Sequence, residues 1–339
     1  MRKLAFILLL FLGITEFVDA QSFYSRRRDR LWMFSFGLGG SQYHGDLYDV
    51  TYDGLGPTVG PSLGIGMRRK LGSQLSIRLD INRYQIGGDD QLTNGFITNG
   101  RTSEERTGRR TGVNDTRYVR NLNFRARNWE VSGLLTFNFI PVDGSYTRRP
   151  LINPYLMIGI SRTLSRPKTF LPGENGNYSV NLWEIRTEEA GVYGNWFTVI
   201  PLGFGIRLKA NQYVDILLEG ARRFTFTDYL DDVATVYPSR DQIIEWNGGP
   251  DSPGANVALQ IYDRSQDLIP ELQANNNQAA IDRIAQDFPN GINPRPAGAV
   301  RGRDNNDAYY IFQIRLELYL PDNFLSELFS PSRRKPKFR

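Results

Sequence analysis

The chain has 339 residues, no cysteine, one histidine and a formal net charge of +5. The missing cysteine excludes disulfides, lipoprotein processing and cysteine-based metal sites, and so small a basic excess gives no case for nucleic acid as a partner. A hydrophobic content of 40% with a mean hydropathy of −0.41 fits a soluble β-protein, and equally a barrel whose strands place half their side chains on a polar interior.

The first twenty residues read as a signal peptide: Met1-Arg2-Lys3 is a basic start, Leu4 to Ile14 a short apolar run, and Val18-Asp19-Ala20 a small-residue cleavage point before Gln21. Arg2, Lys3, Glu16 and Asp19 cancel, so residues 21–339 keep the +5. No later run approaches the roughly 18 to 20 apolar residues of a membrane helix. If the chain is integral to a membrane it must be a closed barrel, because an open sheet leaves backbone groups unpaired in lipid.

Period-two alternation then recurs along the chain, the mark of strands with one apolar and one polar face. The first strand starts at Trp32, with Trp32, Phe34, Phe36 and Leu38 on one side. The second sets Val59, Leu63, Ile65 and Met67 against small inward residues. After a basic turn, Arg68 to Ser73, the third sets Leu75, Ile77, Leu79 and Ile81 against Ser76, Arg78, Asp80 and Asn82. A polar stretch from about Gly87 to Arg120 precedes the fourth strand, Trp129, Val131, Leu135, Phe137 and Phe139 against Asn128, Glu130, Ser132, Thr136 and Asn138. The apolar parity slips between Phe124 and Trp129, which predicts either a bulge or strand that has left the membrane. The fifth carries Leu156, Ile158 and Ile160. The sixth carries Ile200, Leu202, Phe204, Ile206 and Leu208.

The stretch from Tyr213 to Val233 shows the pattern at its clearest: Val214, Ile216, Leu218, Phe224 and Phe226 on one face, Asp215, Glu219, Arg223, Thr225 and Thr227 on the other. A long loop over residues 233–307 follows. It holds one helical pattern, Ile281, Ile284, Ala285 and Phe288, read as folding the loop back on the barrel rim. The last strand sets Tyr310, Phe312, Ile314, Leu316 and Leu318 outward, with Gln313, Arg315 and Glu317 inward.

Connections alternate between long loops and short turns, so all turns fall on the side of both termini. With aromatics at both ends of the strands, this predicts an all-β fold, an eight-stranded antiparallel transmembrane β-barrel of the bacterial outer membrane. Short turns would face the periplasm and long loops the exterior, with 321–339 a basic periplasmic tail. An eight-stranded barrel is just wide enough to be filled by side chains. Inward charges of both signs predict a salt-bridged lumen, with Asp215 and Glu219 lying between Arg207 and Arg315.

No catalytic residue, cofactor or resident metal is expected. His44, the lone histidine, has Ser41 and Asp46 nearby, and reads as a rim residue rather than a catalytic base. Asp46 and Asp49, and Asp228, Asp231 and Asp232, form acidic clusters with spacing that calcium can use but no EF-type loop. On the turn side, Arg26, Arg27, Arg28, Arg30, Arg68, Arg69, Lys70, Arg148, Arg149, Arg333, Arg334, Lys335, Lys337 and Arg339 form a basic collar. Such a collar suits lipid headgroups or an acidic periplasmic partner.

Several segments together resemble one family. GLGGSQYHGDLYD after the first strand, LNFRARNWEVSGLLTFNF, IPLGFGIRLK and EGARRFTFTDYLDDV resemble the PorG-like outer-membrane barrels of Bacteroidetes, over nearly the whole mature chain. Tyr43-x-Gly45-Asp46-Leu47 and Thr227-Asp228-Tyr229-Leu230-Asp231-Asp232 are the most specific matches. The resemblance implies a non-enzymatic component of the type IX (Por) protein secretion system, linked to gliding motility, that ties the outer membrane to periplasmic ring or translocon subunits. The insertion between Tyr237 and Asn306 departs from the pattern. It keeps open a second expectation, a cell-surface receptor or adhesin acting through the long last loop. Expected partners are outer-membrane lipid and those periplasmic subunits, with no nucleic acid and no small-molecule substrate.

Overall fold

Alternating strands pair until no edge remains. The computed structural model describes residues 30–47, 59–90, 117–142, 145–171, 178–189, 194–287, 296–302 and 305–321. The expected signal peptide, Arg26 to Arg28, Asp49, Phe288 and the basic tail with Arg333, Arg334 and Lys335 lie outside the described residues. The strands are β1 (Trp32–His44), β2 (Gly60–Lys70), β3 (Leu75–Asp89), β4 (Asn123–Asn138), β5 (Ile152–Leu164), β6 (Pro167–Leu171), β7 (Tyr178–Asn181), β8 (Trp196–Lys209), β9 (Val214–Thr225) and β10 (Ala308–Tyr319).

Eight of them form the ring β1-β2-β3-β4-β5-β8-β9-β10, closed by the antiparallel β1–β10 pair. Closure leaves no free edge in this ring, as a lipid-embedded sheet requires. The remaining two, β6 and β7, are a small hairpin on the loop side, attached to the start of β4 through Arg125 opposite Lys168. Sequence alternation gives no sign of this hairpin, because it is short.

Each expected outward set faces out. Leu38, Leu79, Ile160 and Ile314 are more than half exposed, at 54%, 57%, 67% and 62%, and form part of an apolar band around the ring. An apolar belt this continuous is stable only against hydrocarbon. Trp129, Trp196, Phe224 and Phe226 are exposed at its loop-side border, and Phe137 and Phe139 at its turn-side border. No helix among the described residues is long and apolar enough to cross a membrane.

The slip expected in β4 is not a bulge. β4 stays in unbroken register with β3 from Leu75 opposite Phe137 to Asp89 opposite Asn123. The side-chain chemistry inverts while the backbone continues. Phe124 and Ala126 point inward and are buried; Arg125 and Arg127 point outward and are exposed. Below this level the barrel is apolar outside and polar inside. Above it, the polar headgroup and water side lies outside and the mouth is filled with apolar side chains. Tyr43, Tyr84, Ile86, Phe124, Val199 and Tyr309 belong to this upper core, together with Leu47, Leu230 and Val233 from the loops.

The long clear alternation after Tyr213 ends as a strand at Thr225, and after the exposed Phe226 the chain from Thr227 to Val233 turns inward over the mouth. The last loop holds four helices rather than one: α1 (Arg240–Trp246), α2 (Pro253–Tyr262), α3 (Leu268–Ala274) and α4 (Gln278–Asp287). Only α4 matches the expected pattern. Helix α1 starts at a capping box, in which Ser239 and Gln242 satisfy each other's backbone amides; α2 starts at Ser252 with Pro253 in its first turn. They pack as pairs, Ile243 of α1 with Ala258 and Tyr262 of α2, and Leu268 and Leu272 of α3 with Ala280 and Ile284 of α4. Each helix is so short that stability comes from this pairing.

Candidate functional site

Two polar assemblies occupy the barrel, one in the lumen and one at the loop-side mouth. The lumen begins on the turn side with Arg149, whose guanidinium donates to both Asp215 carboxylate oxygens, at 2.7–3.1 Å, and to the carbonyls of Tyr146, Asn211 and Gln212. The Tyr319 hydroxyl donates to Asp215 at 2.9 Å, and its ring lies under Arg149 at 4.3 Å. Next, Arg68 binds Glu317 through two donors, 2.6 and 2.8 Å, and Arg207 approaches the same carboxylate at 3.3 Å.

Further up, Arg78 and the Tyr155 hydroxyl both donate to Glu219, and Arg78 reaches Asp80 at 3.0 Å. Arg315 lies 3.4 Å from Asp80 and donates to Gln313 and Ser35. Glu130 accepts from Tyr309 at 2.6 Å and Ser132 at 2.8 Å, with Arg223 at 3.5 Å. In the strand ring β3 and β9 stand opposite each other, as do β4 and β10. The Arg78–Glu219 and Glu130–Tyr309 contacts therefore span the full diameter. Gly66 makes room for the Asp80–Arg315 part of the network: a Cβ there would overlap Asp80 Oδ1 and lie 2.7 Å from Arg315 Nη2 and 2.9 Å from Ser35 Oγ. Side chains cross the interior from wall to wall, so it is a packed polar core rather than a channel.

The four expected lumen residues are all in this network, but their expected pairing is its weakest part. Arg207 lies 3.8 Å from Asp215, and Arg315 lies 4.0 Å from Glu219. The close partners of those acids are Arg149 and Arg78. Two collar residues thus need correction. Arg68 and Arg149 are only 3% and 5% exposed and belong to the lumen. Arg68 has inward parity in β2, and Arg149 folds back into the turn-side mouth. Arg69, Lys70 and Arg148 remain on the turn-side rim, with Arg69 over the Trp32 ring at 5.3 Å. Arg30 packs over the rings of Tyr146 and Tyr213.

At the other end, the two motifs expected to be most specific come together. The Tyr43 hydroxyl lies 2.6 Å from Asp231 Oδ2 and 2.5 Å from Asp307 Oδ1, while the Asp46 amide donates to Tyr43 Oη at 3.1 Å. The Leu47 and Val233 amides donate to Asp231, and the Leu230 amide to Asp307. A Cβ on Gly45 would overlap both Tyr43 Oη and Asp307 Oδ1, so only glycine fits. One hydroxyl carries one proton, so two carboxylates at this distance require a further proton on one of them. Burial, with the Asp46 charge second, pushes Asp231 up to about 8; burial and the Asp231 charge raise Asp307 well above the usual carboxylate range.

Two buried arginines clamp this knot to the loops. Arg120 binds Asp90 through two donors at 2.7 Å and reaches the Asp46 and Arg301 carbonyls. Arg301 binds Glu188 at 2.6 Å and lies 3.6 Å from Asp232, whose carboxylate also accepts from Thr187 Oγ1 at 2.6 Å. Asp232 holds a positive φ of 67°, uncommon for a residue with a side chain. Thr227 accepts the Asp307 amide on its carbonyl and the Tyr229 amide on its hydroxyl. Asp228 and Tyr229 are half-buried beside it, and the nearby acids push Tyr229 further up, after burial itself, to about 12. Arg120, Arg301, Glu188 and Asp307 escaped sequence reasoning because their partners lie far away in the chain and in loops without periodicity.

Among the described residues no group of His, Asp or Glu has metal-ligand geometry. Of the carboxylates that suggested calcium, Asp231 is held by the Tyr43 hydroxyl and the Leu47 and Val233 amides, and Asp232 by Thr187 and Arg301. The Ser41 hydroxyl donates to the Gln85 carbonyl at 2.6 Å and is fully buried, whereas His44 lies at the outer rim, edge-on to Tyr310. The two do not form a nucleophile–base pair.

A closed ring of eight antiparallel strands, an apolar belt between aromatic girdles, and short turns at one end with long loops at the other allow one placement. The protein is an integral outer-membrane β-barrel. No family model matches the chain, and no curated protein matches it. Among solved structures it is similar to Neisserial surface protein A, with 10% identity and a TM-score of 0.34 over 85% of this chain and 97% of that one. It is also similar to the N-terminal β-barrel domain of Pseudomonas aeruginosa OprF, with 6% identity and a TM-score of 0.29 over 84% and 97%. A third similar structure is a major outer membrane protein from Thermus thermophilus, with 12% identity and a TM-score of 0.32 over 85% and 98%.

Proposed function

We propose that this barrel is a non-enzymatic anchor that ties a type IX secretion assembly to the outer membrane through its turn-side face. The observation that carries the reading is the filled lumen. Salt bridges spanning the interior leave no route for a solute, so the working surfaces are the two ends. On the turn-side end, Arg69, Lys70 and Arg148 stand on the rim, and complementary charge would steer an acidic periplasmic partner to them. The likeness of the Tyr43–Leu47 and Thr227–Asp232 segments to PorG-like barrels points to ring or translocon subunits as that partner. These segments form the knot that sets the shape of the loop-side mouth.

Affinity purification of the tagged, detergent-solubilised full chain tests this. Periplasmic ring or translocon subunits are expected to co-purify with it. The R69Q/K70Q/R148Q variant should lose them while still inserting as a heat-modifiable barrel. Arg68 and Arg149 stay untouched, because they hold the lumen. Co-purification unchanged in the triple variant overturns the docking face.

One observation favours the second reading, a surface receptor or adhesin. The last loop is a packed cap of α1 to α4 rather than an extended strand connection. Excising residues 240–300 should then abolish surface binding while secretion persists.

A further inference from the structure

The outward faces of β3, β4, β5 and β6 carry cations where the apolar band ends. Arg83, Arg125, Arg127, Arg162, Arg166 and Lys168 are all exposed on the loop side. The register places them together. Arg83 lies opposite Trp129 and Arg162 opposite Val131, while Arg127 and Arg125 continue up β4 and Lys168 lies beside Arg125. Arg125 and Lys168 are direct cross-strand neighbours, about 5 Å apart, and Arg127, Arg83 and Arg162 continue the patch at successive levels of adjoining strands. The patch is one-sided. At the same height β1 carries Gln42 and His44, Val59 precedes β2, and Pro61 lies within it.

The guanidiniums are held but not used up. Arg83 stacks on Trp129 at 4.7 Å and Arg125 on Phe170 at 5.0 Å, contacts that engage the flat face and leave the in-plane N–H groups available. Arg127 spends one donor on Gln85 at 3.3 Å, and Arg162 one on Thr198 at 2.8 Å. A guanidinium has five donors. None of the six cations is ion-paired with a carboxylate among the described residues. By contrast, Arg222 on β9 is half-buried, covered by the rings of Phe224 and Tyr310.

We infer that this patch is a binding site for phosphorylated lipid headgroups of the outer leaflet. Its height decides the occupant. Val131 and Trp129, still in the apolar band, adjoin Arg162 and Arg83, so the cations stand where lipid phosphates lie rather than out in the solvent. Orienting a planar fork by stacking prepares it for bidentate phosphate recognition. A lipid held on this one flank would fix the barrel's orientation against its neighbours in the membrane.

The test titrates the full chain in detergent micelles with bisphosphoryl lipid A, and with the same lipid stripped of both phosphates, counting adducts by native mass spectrometry. The wild-type chain should prefer the phosphorylated lipid. R83Q/R125Q/R127Q/R162Q should weaken that preference by up to about a thousandfold, at roughly 1 kcal/mol for each of the four cations near a charged surface. R222Q, on the opposite flank, should leave it unchanged. All substituted residues lie outside the packed interior, and heat-modifiable migration checks folding. A quadruple variant that keeps the full preference overturns the site, and so does an equal loss in R222Q. Binding of inorganic pyrophosphate as tight as that of the lipid would also overturn it, by removing the role of the membrane interface.

Discussion

Parity decides the fate of a charge in this chain more than charge itself does. Arg68 and Arg69 are neighbours in one basic turn, yet Arg68 is buried on two Glu317 contacts while Arg69 lies over Trp32 at the rim. Removing one partner of a buried pair leaves the other carboxylate uncompensated, which costs roughly 3–5 kcal/mol. Arg207 stays 3.3 Å from Glu317 and offsets part of that loss. Arg68→Gln should therefore destabilise the barrel by about 3 kcal/mol, the lower end of that range. Arg69→Gln should shift it by less than about 1 kcal/mol, the worth of an exposed cation–π contact. Urea unfolding of the two variants in the same micelle measures the contrast. Equal midpoints would remove Arg68 from the lumen network.

The loop elements depend on one proton. Tyr43 of β1, Asp231 after β9 and Asp307 before β10 meet at short distance only because a carboxyl there stays protonated. Asp231 is held up near 8 in the folded chain, against an ordinary value of about 4. An acid raised in the folded state contributes stability that is fully present below its unfolded value and lost as pH rises through its folded one. The loop cap should thus be tightest in mild acid and loosen as pH climbs through about 8. Limited proteolysis of the α1–α4 region between pH 6 and 10 reads this directly. Rates should rise up to about pH 8 and level off above it in the wild-type chain, and should rise less in Asp231→Asn, where Asp307 alone is left to titrate. A flat wild-type profile would mean the cluster carries no such proton. This dependence on remote partners also explains what the sequence made legible. Every lipid-facing set, from Phe34 to Leu318, could be read because period two is local and the membrane imposes it. On β4 the same alternation continued past the membrane with its chemistry reversed, so Phe124 looked like a slip. The caps of α1 and α2 were readable in Ser239–Gln242 and Ser252-Pro253, but seven- and ten-residue helices leave too little periodicity to stand out. The knot itself joins residues more than 180 positions apart, and no local pattern encodes that.

At the scale of the whole molecule, the barrel is built as a solid post. Its belt fits hydrocarbon, its upper mouth is closed by an apolar core, and its lower mouth is closed by Arg149 over Tyr319. Between these plugs, Arg78 and Glu219 bridge the diameter, and Arg68, Arg207 and Glu317 fill the layer toward the turns. Mixed signs along the lumen also deny it the single-sign ring that a selective pore uses. The purified chain in planar bilayers should therefore show no unitary conductance at moderate voltage. Cutting the side chains that block the axis should change this. The variant R78A/E219A removes both ends of the central bridge together, so neither charge is stranded, and R149A in addition opens the turn-side mouth. Ion flux should appear only when the apolar core of the loop-side mouth and the Arg68–Glu317 layer are opened as well, since any plug left in place blocks the path. Steps of conductance in the wild-type chain would show that the salt-bridged interior opens on its own, and would return the barrel to the class of pores.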